Sequence, residues 1–98
     1  MPLPKRILAE LSGYPPFHQR VWKECAKIPK GRTLTYGELA KRLGKPGAAR
    51  AVGQALGANP FAPIVPCHRV VAASGPGGFS AKGGVQAKMR LLRKEKAL

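Results

Sequence analysis

Apolar residues recur at helical spacing along residues 17–28, where they are separated by four, four and three positions. These apolar positions are Phe17, Val21, Cys25 and Ile28. The spacing predicts a helix with one buried face, and Pro29 ends it because proline cannot continue a helix. We interpret Cys25 as a small core residue, because it lies on this apolar face.

Two further helices are predicted from their end signals. The sequence Thr35-Tyr36-Gly37-Glu38 matches a capping box, in which Thr35 and Glu38 each bond the other's backbone N–H. It begins a short helix that Gly44 ends. A second helix is predicted over residues 48–58, and Asn59-Pro60 ends it because a residue before proline disfavours helical backbone. Two short helices joined by a tight turn form a helix-turn-helix candidate.

The other elements complete a mainly α-helical chain with a small β element. A short helix is expected at Lys5–Leu11 within a lead-in segment, residues 1–16. A last helix is expected from Val85 to about Lys96, with apolar positions at Val85, Met89 and Leu92. Residues 70–73 suit a short strand, and residues 74–84, rich in glycine, a turn or wing between two strands. We therefore expect one winged helix-turn-helix-like domain over residues 1–98.

The charge of the chain is unusual and changes the functional picture. Its 98 residues include 18 Lys and Arg but only four acidic residues, a net charge of +14. This excess indicates a polyanionic partner, and with the helix-turn-helix candidate it favours DNA. No apolar run is long enough to cross a membrane, and residues 1–6 lack the apolar stretch of a secretory signal. We therefore expect a cytoplasmic protein.

Disulfide and metal chemistry are not expected. A reducing compartment disfavours a bridge between Cys25 and Cys67. The spacing of these cysteines with His18 and His68 does not match a zinc site. No cofactor is predicted.

The predicted helix over residues 48–58 has an unusually smooth surface. It contains five Ala, two Gly and a single charged residue, Arg50. One interpretation is a tight contact between helices. The other is a backbone that approaches DNA closely in the minor groove, which is only about 6 Å wide. In that case Arg50 would be a wedge in the duplex.

The segment Pro66-Cys67-His68-Arg69 is the strongest candidate for chemistry. Cysteine reacts as the thiolate, which neighbouring cations favour. We expect the extended, proline-rich residues 60–66 to present Cys67 at a surface, with His68 reaching the thiol through a water or a turn. The simpler alternative is a buried free cysteine beside a hydrogen-bonded histidine.

Glu95 and Tyr36 add to this candidate site. Glu95 is the only acidic residue after Glu38, and it could orient a histidine as the third member of a nucleophile, base and acid relay. It could equally offset local repulsion among the basic residues. Tyr36 is predicted at the first position of its helix, where its phenol can donate a hydrogen bond to a base edge.

Five blocks in this order resemble the O6-alkylguanine-DNA alkyltransferases, also called methylated-DNA–protein-cysteine methyltransferases. The blocks are Thr35-Tyr36-Gly37-Glu38-Leu39-Ala40, Ala49-Arg50-Ala51-Val52-Gly53, Asn59-Pro60, Pro66-Cys67-His68-Arg69-Val70-Val71 and Gly78-Phe79-Ser80. The resemblance covers Phe17 to Glu95, about four fifths of the chain. Five matching blocks are specific, whereas any one alone would not be.

The resemblance implies DNA repair by direct damage reversal. The alkyl group would move from guanine O6 in double-stranded DNA to Cys67, once per molecule, with the protein acting as a monomer. His68 would draw the thiol proton through a bound water, and Glu95 would hold the useful imidazole tautomer. Asn59 would brace the turn between the recognition helix and the active-site segment.

The resemblance also implies which residues bind DNA and the flipped base. Arg50 would fill the gap left by the guanine, on a small-residue helix surface that includes Ala49 and Gly53. Tyr36 would crowd the phosphate and donate to the base ring. The residues expected to hold the guanine edge are Cys67 and Val70, through their carbonyls, and the Ser80 segment.

Three departures and three alternatives accompany the resemblance, and one departure is a Ser80-to-Gly84 stretch slightly longer than in many relatives. Family members commonly carry an additional amino-terminal domain, which we do not expect here, and Phe79 stands where tyrosine is frequent. A related group, the alkyltransferase-like proteins, binds alkylated guanine without repairing it and has tryptophan in place of the cysteine. Cys67 therefore favours a transferase over a protein that flags damage. A winged-helix regulator and a cysteine hydrolase fit the site residues less well.

Overall fold

The computed structural model describes residues 3–62, 64–73 and 84–97. Within these ranges the chain forms five α-helices, one turn of 3₁₀ helix and two short strands. In chain order they are α1 (Lys5–Leu11), α2 (Pro16–Cys25), β1 (Leu34–Thr35), α3 (Tyr36–Arg42), α4 (Ala49–Gly57), the 3₁₀ turn (Cys67–Arg69), β2 (Val70–Val71) and α5 (Gly84–Lys94). The predicted class, mainly α with a small β element, is confirmed. The predicted wing, residues 74–84, lies outside the described ranges except for Gly84, which begins α5, and the Ser80 segment lies outside them entirely.

Helix α2 is shorter than its apolar spacing predicts. It begins at Pro16, where the missing N–H costs no hydrogen bond in the first turn. After Cys25 the backbone turns more tightly than an α-helix, and the Ile28 N–H donates to the Cys25 carbonyl at 3.0 Å. The reason is Pro29, because the residue before a proline disfavours helical backbone. Ile28 is still buried, so the predicted apolar face is correct although the helix ends three residues earlier.

Helix α3 begins with the predicted capping box. Thr35 Oγ1 accepts from the Glu38 N–H at 3.1 Å, and Glu38 Oε1 accepts from the Thr35 N–H at 2.8 Å. At the other end Gly44 has a φ of +75°, and the Lys45 N–H donates to the Ala40 carbonyl at 3.0 Å. This is a Schellman closure, which requires the left-handed conformation that glycine adopts without strain. The helix-turn-helix candidate is thus present as α3 and α4.

Trp22 lies at the centre of the core and joins α2 to α4. Its side chain is fully buried, and its indole Nε1 donates to the Ala55 carbonyl at 2.8 Å. The rings of Tyr14 and Phe61 meet it edge-on, with centroids 5.0 and 5.8 Å away, an arrangement that aromatic pairs favour. Because Ala55 belongs to α4, these contacts fix the position of α4 on the core.

The two strands pair in parallel and connect α3 to the candidate active-site segment. Leu34 pairs with Val70, and Thr35 pairs with Val71. The strand predicted over residues 70–73 is present as β2, but the sequence did not predict its partner β1. β1 is only two residues long, which is too short to show the alternating apolar and polar pattern that predicts a strand. The pairing places Tyr36, the first residue of α3, beside the segment that contains Cys67.

The lead-in segment contributes to the same core. Helix α1 occupies the predicted residues, and its Ile7 and Leu11 are both buried. Half-buried apolar residues from the segment, among them Leu3 and Tyr14, pack against this core. The segment is therefore part of the folded unit.

Helix α5 buries a different face from the one predicted. The predicted apolar positions are Val85, Met89 and Leu92, yet Val85 is 41% exposed. The buried face instead passes through Lys88 and Leu92. A count of apolar residues cannot find this face, because a lysine occupies its centre. At 11 residues α5 is the longest described helix, and none of the described helices has the length and apolar character that crossing a bilayer requires.

Replacing Trp22 with Phe should lower the free energy of unfolding by about 2 kcal/mol, because a buried hydrogen bond is lost and a small cavity forms. Urea unfolding followed by circular dichroism measures the change. As a control, Leu8→Ala removes a side chain that is 45% exposed and should change stability by less than about 0.5 kcal/mol. Equal losses in the two variants would contradict the central role of Trp22.

Candidate active site

Cys67 is the first residue of the 3₁₀ turn and is only 9% exposed. The predicted extended backbone that presents Cys67 at a surface is therefore wrong. Pro66 has φ −82° and ψ 65°, and the Cys67 N–H donates back to the Val65 carbonyl at 2.8 Å. This is an inverse γ-turn, which directs the chain inward before the 3₁₀ turn begins. Cys67 consequently lies within the core cluster.

Asn59 braces the path from α4 to Cys67 at two points. Its Nδ2 donates to the Val65 carbonyl at 2.9 Å, and its Oδ1 accepts from the Phe61 N–H at 2.8 Å. The Val65 N–H in turn donates to the Phe61 carbonyl at 3.0 Å. The same Val65 carbonyl that Asn59 binds also receives the Cys67 N–H. One asparagine side chain thus links the end of α4 to the turn that carries the thiol.

His68 and Glu95 lie in contact although they are far apart in sequence. The His68 ring is 2% exposed, and its Nε2 is 3.0 Å from Glu95 Oε2. An ionised carboxylate can only accept hydrogen bonds, so Nε2 carries the proton of this bond. In the neutral imidazole the lone pair then resides on Nδ1, which makes Nδ1 the nitrogen that can accept a proton.

Arg69 binds the same carboxylate through two parallel hydrogen bonds. Its Nε donates to Glu95 Oε1 at 2.9 Å and its Nη2 to Oε2 at 2.7 Å. Hydrogen bonds from Arg69, more than those from His68, hold the pKa of Glu95 at about 2 although burial opposes this. Glu95 is therefore a carboxylate throughout the physiological range. Sequence reasoning placed Arg69 beside the thiol and missed this pairing.

Lys88 is a fully buried cation that sequence reasoning also missed. Its Nζ donates to the Val70 carbonyl at 2.6 Å and lies 5.7 Å from the centre of the Tyr36 ring. Burial lowers the pKa of Lys88. The sequence offered one signal of this burial. Lys88 lies four residues before the apolar Leu92 and therefore on the same face of the helix.

The outer side of α4 carries the predicted DNA contacts. Its exposed residues include Arg50 and Gln54, whereas Ala49 and Gly53 are half-buried. A side chain at Gly53 would lie 3.9 Å from the Tyr36 ring, in ordinary contact. The opposite side of α4 packs on the core through Val52, Ala55 and Leu56. The tight helix contact is therefore present on the inner side of α4, and the close approach to DNA by its outer side stays a prediction.

The second cysteine is separate from this site. Cys25 is fully buried on α2, and burial raises its pKa to about 12. A thiol with such a pKa stays protonated and unreactive. Both cysteines are free, which leaves Cys67 as the candidate nucleophile.

Comparisons with known proteins find one family. The sequence profile of the 6-O-methylguanine DNA methyltransferase, DNA binding domain, matches residues 16–97. A methylated-DNA–protein-cysteine methyltransferase of Mycobacterium bovis is 56% identical over 82 residues, which are 83% of this chain and 48% of the relative. One of Shigella flexneri is 51% identical over 89 residues, 90% of this chain and 51% of the relative. The chain thus spans about half the length of the curated relatives it matches.

Solved structures resemble the fold closely. The Mycobacterium tuberculosis OGT in complex with DNA has a TM-score of 0.80 at 54% identity, covering 86% of this chain and 52% of that protein. The S. pombe Atl1 in complex with damaged DNA containing O6-carboxymethylguanine has a TM-score of 0.66 at 34% identity. That match covers 81% of this chain and 74% of Atl1.

The depressed pKa of Glu95 predicts a pH-dependent contribution to stability. A carboxyl group whose pKa falls on folding stabilises the protein above its ordinary pKa of 4.5, and this stabilisation is lost as the pH falls towards about 2. Glu95→Gln should therefore be less stable than the wild type near pH 7, and the difference should shrink between pH 4.5 and 2. Thermal unfolding at each pH measures it. Glu24→Gln, which breaks an ion pair with the exposed Lys27, should change the curve much less.

Proposed function

This chain belongs to the 6-O-methylguanine DNA methyltransferase, DNA-binding-domain family, and from that premise we propose that it repairs alkylated DNA by direct reversal. The substrate is double-stranded DNA containing O6-alkylguanine, and Cys67 accepts the alkyl group. The observation that carries this proposal is that Cys67 directly precedes His68, whose buried imidazole is hydrogen-bonded to the Glu95 carboxylate. The fold thus brings an ionised acid from a distant segment to a nucleophile and a base. The names of the curated relatives describe the same transfer.

In the proposed reaction His68 takes the thiol proton on Nδ1. The thiolate sulfur then attacks the alkyl carbon, so that a carbon–sulfur bond forms and the carbon–oxygen bond to guanine breaks. Guanine keeps the electron pair and regains one proton, which balances the proton lost by Cys67. The product is a thioether, which is chemically stable, so each molecule acts once.

The pocket for the flipped base is proposed to lie between Cys67, Val70 and Tyr36. The Cys67 carbonyl accepts the Val70 N–H, and the Val70 carbonyl accepts Lys88 Nζ. A carbonyl oxygen has two lone pairs, so each can also accept from the guanine edge. Tyr36, held beside Gly53 of α4, donates to the base ring as it leaves. Ser80 remains part of the proposed pocket from the resemblance alone.

Helix α4 is proposed to enter the minor groove of the duplex. Its outer side combines the exposed Arg50 with the small residues Ala49 and Gly53, so the backbone can approach the DNA closely. The net charge of +14 supplies attraction to phosphates, largely without regard to sequence. A monomer suffices for this geometry, and the cytoplasm is the proposed location of the repair.

A second candidate function is the recognition of alkylated DNA without transfer. The similarity to S. pombe Atl1 in complex with damaged DNA supports it. The buried Cys67, contiguous with a histidine held at a carboxylate, favours transfer because binding alone needs neither group. The two functions differ in whether the protein gains mass.

Incubation with an oligonucleotide containing O6-methylguanine should add one methyl group to the protein, on Cys67. Cys67→Ala should abolish the gain while DNA binding persists, because the thiol bonds the lesion and not the phosphates. Intact mass and peptide mapping measure the transfer, and a gel shift measures binding. Cys25→Ala is the matched control and should be methylated normally. Methylation of Cys25 would overturn the site, and binding of the lesion without any gain in mass would favour the second function.

Arg50→Ala should slow repair in duplex DNA about tenfold or more, yet leave transfer from a free alkylated guanine base nearly unchanged. Extruding a base costs a few kcal/mol, which a guanidinium inserted in the stack partly offsets. The free base needs no extrusion. Single-turnover rates on both substrates measure the difference, and Arg42→Ala, which removes an exposed charge from α3, controls for the loss of phosphate attraction. Equal slowing of both substrates would refute the wedge.

A further inference from the structure

Arg69 joins three segments of the chain at the candidate active site. Besides its two bonds to Glu95, its Nη1 donates to the Ile28 carbonyl at 2.8 Å. Ile28 follows α2, Glu95 follows α5, and Arg69 closes the 3₁₀ turn that begins at Cys67. The guanidinium therefore locates the Glu95 carboxylate relative to the thiol segment.

The bidentate geometry restricts Glu95 in orientation. Both carboxylate oxygens receive an Arg69 N–H, and one of them, Oε2, also receives His68 Nε2. Two parallel hydrogen bonds from one guanidinium fix the plane of the carboxylate, whereas the single point charge of an ammonium group would not. The direction of Oε2 towards the imidazole is thus set by Arg69.

We propose that Arg69 is a positioning residue that acts through Glu95, because its two hydrogen bonds aim the carboxylate at His68 Nε2 while His68 accepts the proton of Cys67. This inference rests on the transfer proposed above and adds a positioning residue to it. The thiol loses a proton, and the Nδ1 lone pair of His68 accepts it. The resulting imidazolium keeps its Nε2–H bond to Glu95.

The alternative destination is Glu95 itself, and the contacts oppose it. In water a histidine already binds a proton about two pKa units more tightly than a glutamate. The Arg69 hydrogen bonds lower the pKa of Glu95 further, to about 2. Protonating Glu95 would also weaken both bonds from Arg69, because a neutral carboxyl is a poorer acceptor than a carboxylate. Glu95 therefore stabilises the imidazolium and does not take its proton.

A double-mutant cycle tests whether Arg69 acts through Glu95. Single-turnover alkylation of Cys67 by a free O6-alkylguanine base is measured in Arg69→Gln, in Glu95→Gln and in the double variant. Arg69→Gln should be about tenfold slower than the wild type, a part of the effect of general base catalysis. In the Glu95→Gln background the same substitution should change the rate by less than about twofold, because its partner is gone.

The control is Arg20→Gln, which removes an arginine that donates to the Leu43 carbonyl at 2.7 Å, away from Glu95. The rate of Cys67 alkylation in this variant should stay within about twofold of the wild-type rate. Arg69→Lys keeps the positive charge but cannot form the two parallel hydrogen bonds of a guanidinium. It should fall between the wild type and Arg69→Gln, and it serves as the second variant if Arg69→Gln does not fold.

The Nε2–H proton of His68 provides a readout of position that general destabilisation does not move. In the wild type its NMR signal should be downfield, as expected for a hydrogen bond to a carboxylate. The signal should shift upfield or broaden in Arg69→Gln and Arg69→Lys but stay in Arg20→Gln.

Three results would overturn the inference. They are wild-type alkylation rates in both Arg69 variants, an undiminished effect of Arg69→Gln in the Glu95→Gln background, and an unchanged His68 signal. If the wild type is alkylated normally, any of these results rules out the role of Arg69 but does not contradict the proposed function. A wild type that is never alkylated refutes the proposed function instead.

Discussion

The Glu95 carboxylate is the contact on which the active-site segment depends. It receives the Arg69 guanidinium and the His68 imidazole from the 3₁₀ turn, and Arg69 also binds the carbonyl of Ile28. In a chain with only four acidic residues and a net charge of +14, Glu95 is the carboxylate that pairs with Arg69 and accepts from His68. A buried ion pair stabilises only when its geometry and remaining hydrogen bonds are satisfied, and here each carboxylate oxygen has a donor. One acidic side chain therefore holds the ends of α2 and α5 at the thiol.

The path from α4 to Cys67 imposes a second constraint. Asn59 binds Val65 and Phe61, while Pro60 and Pro66 limit the backbone at either end. A stiff connection between the helix proposed to enter DNA and the proposed nucleophile has a functional consequence. Within the described residues of this connection, these bonds tie Cys67 to the end of α4, so we expect the position of α4 on DNA to set the position of Cys67.

Helix α5 and the residue that follows it supply two charged side chains to the site. Lys88 is buried against Val70 and Tyr36, and Glu95 follows the end of the same helix. Burying an ammonium group is costly unless it is hydrogen-bonded, and the Val70 carbonyl provides such a bond. The cost is consistent with function, because an apolar residue at position 88 would pack in the core without it. The site thus receives one cation from α5 and one anion from the residue that directly follows α5.

The sequence by itself determined the features that depend on neighbouring residues. The capping box at Thr35, the closure at Gly44, helix α1 and the buried face of α2 all follow from contacts within a few positions, and so did the choice of Cys67 over Cys25. Only the tertiary structure decided the parallel pairing of β1 with β2, the inward turn at Cys67, the partner of Arg69 and the burial of Lys88. All of these but the turn at Cys67 join segments distant in sequence, where packing and charge pairing outweigh local preference. A lysine on an apolar face or an arginine beside a thiol has no readable partner until the fold brings one to it.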